Sequence, residues 1–167
     1  MRGGPLPRRR PRASRGGGPG PAPGGAMSEL TPEDESAEVQ ETNARFYRAL
    51  EARDLEAMEA LWLHADYVRC VHPGWCLLTG WEPVRQSWEA IFKDTRELRF
   101  TLSDIVVRIS ADVAWVTGTE NILTQSQGNI SVTAVLVTNV FERRGTRWRM
   151  VLHHASHILT GEVESSA

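Results

Sequence analysis

The 167-residue sequence contains only two cysteines and has neither an apolar run near 18 residues nor a signal-peptide pattern. Cys70 and Cys76 do not make a disulfide framework, so we expect reduced, partly buried thiols rather than a redox pair or a metal half-site. Without a long apolar run or a signal peptide, nothing in the sequence points to membrane insertion or export. The sequence therefore predicts a cytoplasmic protein with no membrane partner.

Motifs that bind metals, nucleotides or acyl groups are also missing. The five histidines show no HExxH spacing and no Cys-x-x-Cys…His spacing. The sequence has no glycine-rich phosphate loop, no Ser-His-Asp order and no GxSxG elbow. We predict no metal and no cofactor.

The first 26 residues hold six arginines, eight glycines and six prolines without an acidic residue, which is a composition that cannot bury a core. They are an unused upstream start, a basic arm or a transit peptide, and the acidic sequence that opens at Met27 favours the first. Translation from Met1 or from Met27 stays open.

The other residues have 13 basic against 21 acidic side chains, about −8 in net charge, which argues against a nucleic-acid partner.

Hydrophobic spacing divides the rest of the chain into three helices followed by strands. Helical periodicity begins at residue 38, a second short helix follows Asp54 as its N-cap, and a third helix covers 81–93. A short strand at 66–72 ends at Pro73-Gly74. Four longer strands follow, at 99–110, 113–124, 131–143 and 147–158.

This order predicts one α+β domain over 38–160, in which three helices pack on an antiparallel sheet. Residues 1–37 are expected to be a disordered head and acidic linker, and 161–167 a disordered tail. The segment 132–137 has apolar or Thr side chains on both faces, so both faces of the sheet need cover. We therefore expect a homodimer through the sheet face.

Alternation along the third long strand assigns its two faces. The set that contains Asn139 also holds the large Phe141, so we expect that set to face the helices and the set with Leu136 to face outward. Met150 and Leu152 are expected to extend the outward strip. The inward set is Thr133, Val135, Val137, Asn139 and Phe141, and the outward set is Val132, Ala134, Leu136, Thr138 and Val140.

Five groups of residues carry a resemblance to a known family. They are 39–47, Asp54-Leu55-Glu56-Ala57-Met58, Val71-His72-Pro73-Gly74, 80–85 and 147–156. With the order of elements, they resemble SnoaL-like domains of the nuclear transport factor 2 and ketosteroid isomerase-like superfamily over nearly all of 38–157. The resemblance implies that the antiparallel sheet is strongly curved into a cone-shaped barrel with one pocket. Its members include isomerases, polyketide cyclases, dehydratases and association modules, so function must be argued from the site.

The superfamily's ketosteroid isomerases use an Asp base with a Tyr and a protonated Asp as oxyanion donors. The base position, immediately before the Pro that ends the short strand, is His72 here. The Tyr position falls at Phe46 and the oxyanion Asp near Val137. With both donors lost, steroid isomerisation by that mechanism is not expected.

His72 is the principal catalytic candidate, because an imidazole can take a proton near neutral pH, and the competing interpretation is a His bonded to backbone at a turn. His153 and His154 lie on opposite faces of the last strand, and the register favours His153 as the inward, second catalytic candidate. The candidate ligand contacts are Tyr47, Trp75, Trp88, Asn139 and His154.

For Tyr47 and Trp88 a core role competes with ligand contact, and Asn139 either orients a ligand or braces His72. Asp66 and Glu120 are the only acids near the predicted sheet interior, and we expect them to be ordinary exposed carboxylates. The resulting hypothesis is a cofactor-free isomerase, lyase or cyclase with His72 as base on a small apolar or aromatic carbonyl compound. The alternative is a non-catalytic ligand-binding or homodimeric association module. The sequence does not identify the ligand.

Overall fold

The computed structural model describes residues 31–95, 97–126 and 129–158. It has three helices, α1 (Pro32–Ala52), α2 (Leu55–Leu61) and α3 (Trp81–Asp94). Its strands are β1 (Arg69–Val71), β2 (Leu78–Thr79), β3 (Glu97–Ser110), β4 (Val113–Ser126), β5 (Asn129–Arg144) and β6 (Arg147–His157). The predicted α+β architecture, with the helices ahead of the long strands, is confirmed.

Helix α1 begins at Pro32, earlier than its apolar periodicity indicated. The side chain of Thr31 accepts a hydrogen bond from the Asp34 N–H at 3.2 Å, and the Asp34 carboxylate accepts one from the Thr31 N–H at 3.1 Å. This reciprocal capping box supplies partners for free N–H groups at the helix start. Residues 32–37, expected in the linker, are therefore helical.

The six strands form one sheet in the order β2-β1-β6-β5-β4-β3. Strands β3 to β6 are an antiparallel meander, as predicted, but β1 pairs with β6 in parallel, so the sheet is mixed rather than fully antiparallel. It is strongly curved and does not close into a barrel. The helices pack inside the curve, where Phe46, Met58 and Phe141 are completely buried.

The predicted faces of β5 are confirmed. Val137 and Asn139 are buried, whereas Val132 and Leu136 remain 66% and 53% exposed on the outer face. Met150 was assigned to the outer face, and that prediction is wrong.

Met150 is completely buried because β6 has a bulge. Val140 pairs with Leu152 but the next residue, Phe141, pairs with Met150, which leaves Val151 as an extra residue in β6. One extra residue moves the following side chains to the other face of a strand. Sequence alternation alone does not locate such a bulge.

Candidate functional site

A cavity of about 170 Å³ lies inside the curved sheet, between its inner face and helices α1 and α3. Three ionisable side chains line it, His72, Glu120 and His153, and each is less than 5% exposed. Aromatic rings form much of the remaining wall, including Trp75, Trp88 and Phe100. The cavity therefore combines apolar walls with buried groups that can exchange protons.

His72 follows β1 directly and enters the cavity beneath α3. Its Nε2 lies 2.8 Å from the hydroxyl oxygen of Ser87, and that hydroxyl lies 2.6 Å from the carbonyl oxygen of Val84. A carbonyl oxygen only accepts, so Ser87 donates its one proton to Val84 and accepts from His72 Nε2–H. This network assigns the proton to Nε2 and the lone pair to Nδ1, which lies 4.0 Å from the sulfur of the buried Cys70.

Two tryptophans enclose the His72 ring. Trp88 and Trp75 contact it in T-shaped geometry, with ring centroids 4.4 and 5.0 Å away. Trp88 is buried, whereas Trp75 is 47% exposed and lies on the solvent side of the cavity. Burial among these rings lowers the pKa of His72 to about 4, so the imidazole is neutral at neutral pH.

His153 faces the same cavity from β6, as predicted. Its Nδ1 lies 2.7 Å from Asn139 Oδ1, and since an amide oxygen only accepts, Nδ1 carries the proton and Nε2 has the lone pair. Burial, and then the charges of His72 and His154, hold its pKa well below the ordinary value. Both cavity histidines are therefore neutral.

Asn139 braces His153, its cross-strand partner, rather than His72. It is completely buried, and its amide N–H₂ donates to Asn43 Oδ1 at 2.8 Å and to the Tyr47 hydroxyl at 3.4 Å. Asn139 and Tyr47 thus stand behind the cavity wall and hold the groups that line it. Asn139 therefore orients the His153 side chain, and not the His72 side chain that the sequence suggested.

Glu120 on β4 is only 2% exposed, so the expectation of an exposed carboxylate is wrong. The Tyr47 hydroxyl donates a 2.5 Å hydrogen bond to Glu120 Oε1. Burial raises the pKa of Glu120 to about 7, although the Tyr47 hydrogen bond opposes that shift. Burial, together with the charge of Glu120, also raises the pKa of Tyr47.

His154, a predicted ligand contact, points to the opposite side of the sheet. It is exposed and pairs with Thr138, which belongs to the outward set. Because successive side chains of a strand alternate, the inward position of His153 places His154 outside. His154 is therefore not part of the cavity.

Sequence reasoning missed Glu120, Ser87 and Asn43. A signal existed for each, since Glu120 lies in the alternating series that contains the buried Val116, and Asn43 lies between apolar positions of α1 at helical spacing. Ser87 directly precedes Trp88 and shares the buried side of α3 with it. In each case a polar residue occupies a position whose pattern indicates burial.

The described residues contain no group of three His, Cys, Asp or Glu side chains placed to hold a metal ion. Cys70 is buried and Cys76 is exposed, and both are free. The positions of the isomerase oxyanion donors hold Phe46 and Val137, which are buried apolar residues. None of the described helices is long and apolar enough to cross a membrane.

A larger groove of about 720 Å³ runs over the outside of the molecule, along α1, α2 and the turn between β5 and β6. Charged surface residues such as Glu41, Arg45 and Arg147 line it. It holds none of the predicted site residues, so the interior cavity remains the candidate site.

The curved sheet and the helices inside it define a nuclear transport factor 2-like fold with an interior cavity. The chain belongs to the SnoaL-like domain family, whose profile matches residues 39–160. It is 38% identical over 117 residues to the F-box protein SKIP8 of Arabidopsis thaliana, a match that covers 70% of this chain. The chain spans about half (48%) of the length of that curated relative.

Solved structures agree with this assignment. A proposed dehydratase of the NTF2-like family from Streptomyces avermitilis is 38% identical, with a TM-score of 0.73 over 77% of this chain and 99% of the other. The chain is 33% identical to a proposed calcium/calmodulin-dependent protein kinase type II association domain from Thiobacillus denitrificans, with a TM-score of 0.65. That match covers 72% of this chain and 94% of the other. A nuclear transport factor 2 superfamily protein from Salmonella enterica shares the fold, at 16% identity and a TM-score of 0.70. That match covers 79% of this chain and 96% of the other.

Proposed function

We propose that this chain is a cofactor-free lyase or isomerase that moves a proton on a small, largely apolar carbonyl compound, with His72 as the base. The observation that carries the proposal is the placement of a neutral, oriented imidazole in the wall of a compact apolar cavity. A general base must be unprotonated and within reach of the substrate. The lone pair of His72 Nδ1 meets the first requirement at neutral pH.

The size of the cavity supports a compact substrate. An engineered apolar cavity of about 150 Å³ in another protein holds a benzene molecule, and this cavity measures about 170 Å³. A single six-membered ring with one or two substituents matches this volume, whereas a steroid exceeds it.

The relatives also support a lyase. The Streptomyces avermitilis protein, 38% identical over nearly its whole length, is described as a proposed dehydratase, and a dehydratase is a lyase that removes water. Its described activity supports this class of reaction for the present chain, but not the substrate.

The test uses cyclohex-3-enone, a single-ring ketone in which moving one proton from the carbon beside the carbonyl gives cyclohex-2-enone. The product is conjugated, so its ultraviolet absorbance reports turnover. We expect the wild type to exceed the buffer rate and His72→Ala to lose at least about 100-fold, the lower range for general-base catalysis. Equal turnover by folded His72→Ala and wild type would contradict the role of His72.

His154→Ala is the matched control, because it removes a histidine next in sequence to the cavity but on the outer face of the sheet. We expect it to keep wild-type turnover. Circular dichroism of both variants checks that they are folded.

The second candidate function is a non-catalytic module that binds a ligand or mediates assembly. The observation that favours it is the 33% identity to the proposed kinase association domain. The two candidates differ in the same assay, because a binding module releases cyclohex-3-enone unchanged even where the ketone binds.

We also propose that a second copy of this chain covers the outer face of the sheet. Val132 and Leu136 are 66% and 53% exposed there, and Trp115 on the neighbouring strand is 38% exposed. Trp115 is the cross-strand partner of Val140, which belongs to the same outward set, and exposed apolar patches mark interaction sites in soluble proteins. A second copy fits because a two-fold axis places the same apolar strip on both partners.

We propose a cytoplasmic location. Cys70 and Cys76 are both free thiols, and unpaired cysteines suit a reducing compartment. Fluorescence imaging of the tagged full-length chain tests the proposal.

A further inference from the structure

The proposed reaction uses His72 but leaves a second buried ionisable group of the cavity without a role. Glu120 lines the same cavity and is 2% exposed. A buried carboxyl group is unfavourable unless it is neutral or hydrogen-bonded. The Tyr47 hydroxyl, from α1, is its hydrogen-bond partner among the described side chains.

The surroundings of Glu120 favour its neutral form. Its cross-strand neighbours are Leu102 on β3 and Val135 on β5, both apolar. The ionisable groups that face it are Tyr47 from α1 and, across the cavity, His72 and His153. Both histidines are neutral, so neither supplies the positive charge that would stabilise a carboxylate.

We infer that Glu120 is a second catalytic residue, an acid that acts with His72 to eliminate water from a compact β-hydroxycarbonyl compound. This inference rests on the proposed function, because it needs His72 as the base of the same cavity. It adds a substrate class and a source for the proton that the departing oxygen requires.

The elimination balances with these two groups. His72 Nδ1 takes the proton from the carbon beside the carbonyl, and the electron pair of that C–H bond becomes the new C=C bond. The C–O bond at the β carbon breaks, and the Glu120 carboxyl proton passes to the departing hydroxyl to form water. The proton on His72 then returns to the Glu120 carboxylate through solvent, which restores both groups.

The opposed environments of the two residues support the pairing. Burial lowers the pKa of the His72 imidazole to about 4 and raises that of the Glu120 carboxyl to about 7. Near neutral pH the His72 imidazole is therefore an unprotonated base, and a substantial fraction of Glu120 is a protonated acid. Titratable pairs whose pKa values are displaced in this way are typical of acid–base assignments in active sites.

Hydrogen bonds already orient both groups. Ser87 holds the His72 ring through Nε2, and Tyr47 holds one oxygen of the Glu120 carboxyl group. The second oxygen, Oε2, has no hydrogen-bond partner among the described side chains, and Glu120 lines the cavity. Such fixed geometry lowers the entropy cost of a reaction that needs two groups at once.

The test compares two substrates that give the same product. Cyclohex-3-enone becomes cyclohex-2-enone by movement of a proton alone, whereas 3-hydroxycyclohexanone becomes cyclohex-2-enone by loss of water. Glu120→Gln keeps an oxygen that accepts from Tyr47 but cannot donate a carboxyl proton. We expect Glu120→Gln to lower the rate of dehydration by at least about 100-fold. The fold-loss in the rate of isomerisation should be at least about ten times smaller than that.

Tyr47→Phe supplies an independent readout. The Tyr47 hydrogen bond lowers the pKa of Glu120, so its removal moves that pKa upward. Because the acid must be protonated, wild-type dehydration should decline as the pH rises through about 7. In Tyr47→Phe the same decline should occur at higher pH, a shift that a purely structural role for Glu120 does not produce.

The outcomes separate the two proposals. If the wild type isomerises cyclohex-3-enone but does not dehydrate 3-hydroxycyclohexanone, the role of Glu120 is overturned and the proposed function stands. The acid role is also overturned if Glu120→Gln lowers the rates of both reactions equally. The same holds if the dehydration rate of Tyr47→Phe declines at the same pH as that of the wild type. If the wild type does neither reaction, both proposals fail.

Discussion

At the scale of single residues, Asn139 joins the helices to the cavity. Its oxygen accepts from His153 and its N–H₂ donates to Asn43, so one amide connects β6 to α1 through the core. Buried polar groups stabilise a fold only when their partners are complete. The residue is therefore both a structural tie and the support of a cavity histidine.

We predict that Asn139→Leu destabilises the protein by about 2–4 kcal/mol. The variant leaves His153 Nδ1 and Asn43 Oδ1 buried without their partner, and each unsatisfied group costs about 1–3 kcal/mol. Urea unfolding measures the loss. The control is Thr138→Ala, next to it on the outer face, which should change stability by less than about 0.5 kcal/mol.

Glu120 should make stability depend on pH. Its pKa in the folded protein, about 7, is raised above the ordinary value of 4.5. Its contribution to stability is therefore fully present below about pH 4.5 and is lost as the pH rises through about 7. Glu120→Gln removes this dependence.

The free energy of unfolding of Glu120→Gln relative to wild type should rise between pH 4.5 and pH 7, by on the order of 3 kcal/mol. Urea unfolding at several pH values gives both curves. Parallel curves for the two proteins would mean that Glu120 titrates normally in the folded state.

The sequence predicted the inward position of His153 but not the burial of Glu120. Strand alternation is local, so it assigned His153 to the inner face of β6 correctly. The burial of Glu120 depends on a hydroxyl from Tyr47, 73 positions away in the sequence. Local periodicity carries no information about such a partner.

At the scale of elements, β3 has a bulge where it pairs with β4. The register against β4 shifts between Ser103 and Val106, and Asp104 adopts a positive φ of 56°. Gly118 on β4 lies beneath the bulge. A Cβ at Gly118 would stand 2.4 Å from Ile105 Cδ1 and 3.0 Å from the Ser103 carbonyl oxygen.

Gly118→Ala should therefore destabilise the protein by about 1–3 kcal/mol, the usual cost of overpacking. The closer contact is the end of a flexible side chain, so Ile105→Ala in the same chain should recover part of the loss. Thermal unfolding of the single and double variants measures this coupling. Additive effects of the two substitutions would show that the bulge does not press on Gly118.

The helices and the four long strands were predictable because their periodicities are strong. The parallel pairing of β1 with β6 was not, since it joins a three-residue strand to the end of the chain. The bulge at Val151 was not predictable either, and it reversed the assignment of Met150. Both misses concern how strands pair rather than where they lie.

At the scale of the whole molecule, the proposed dimer through the outer face of the sheet can be tested by the mass in solution. Leu136→Glu places a charge in the proposed interface, so we predict that the mass in solution falls from twice 18.6 kDa to 18.6 kDa. Light scattering measures the mass. Leu77→Glu is the matched control, because Leu77 is also 53% exposed but lies in the loop between β1 and β2, outside the strands β4 and β5 that carry the proposed interface.

Leu77→Glu should remain a dimer. A monomeric wild type, or a Leu136→Glu variant that keeps the dimer mass, would contradict the assignment of this face to a second copy.

The central claim is that the interior cavity is a proton-transfer site with His72 as base, and the pH dependence of cyclohex-3-enone isomerisation tests it most directly. Because the base must be neutral, the rate should rise with pH through the His72 pKa of about 4 and then level off. His72→Ala should stay near the buffer rate throughout. A wild-type rate equal to buffer at every pH would contradict the claim.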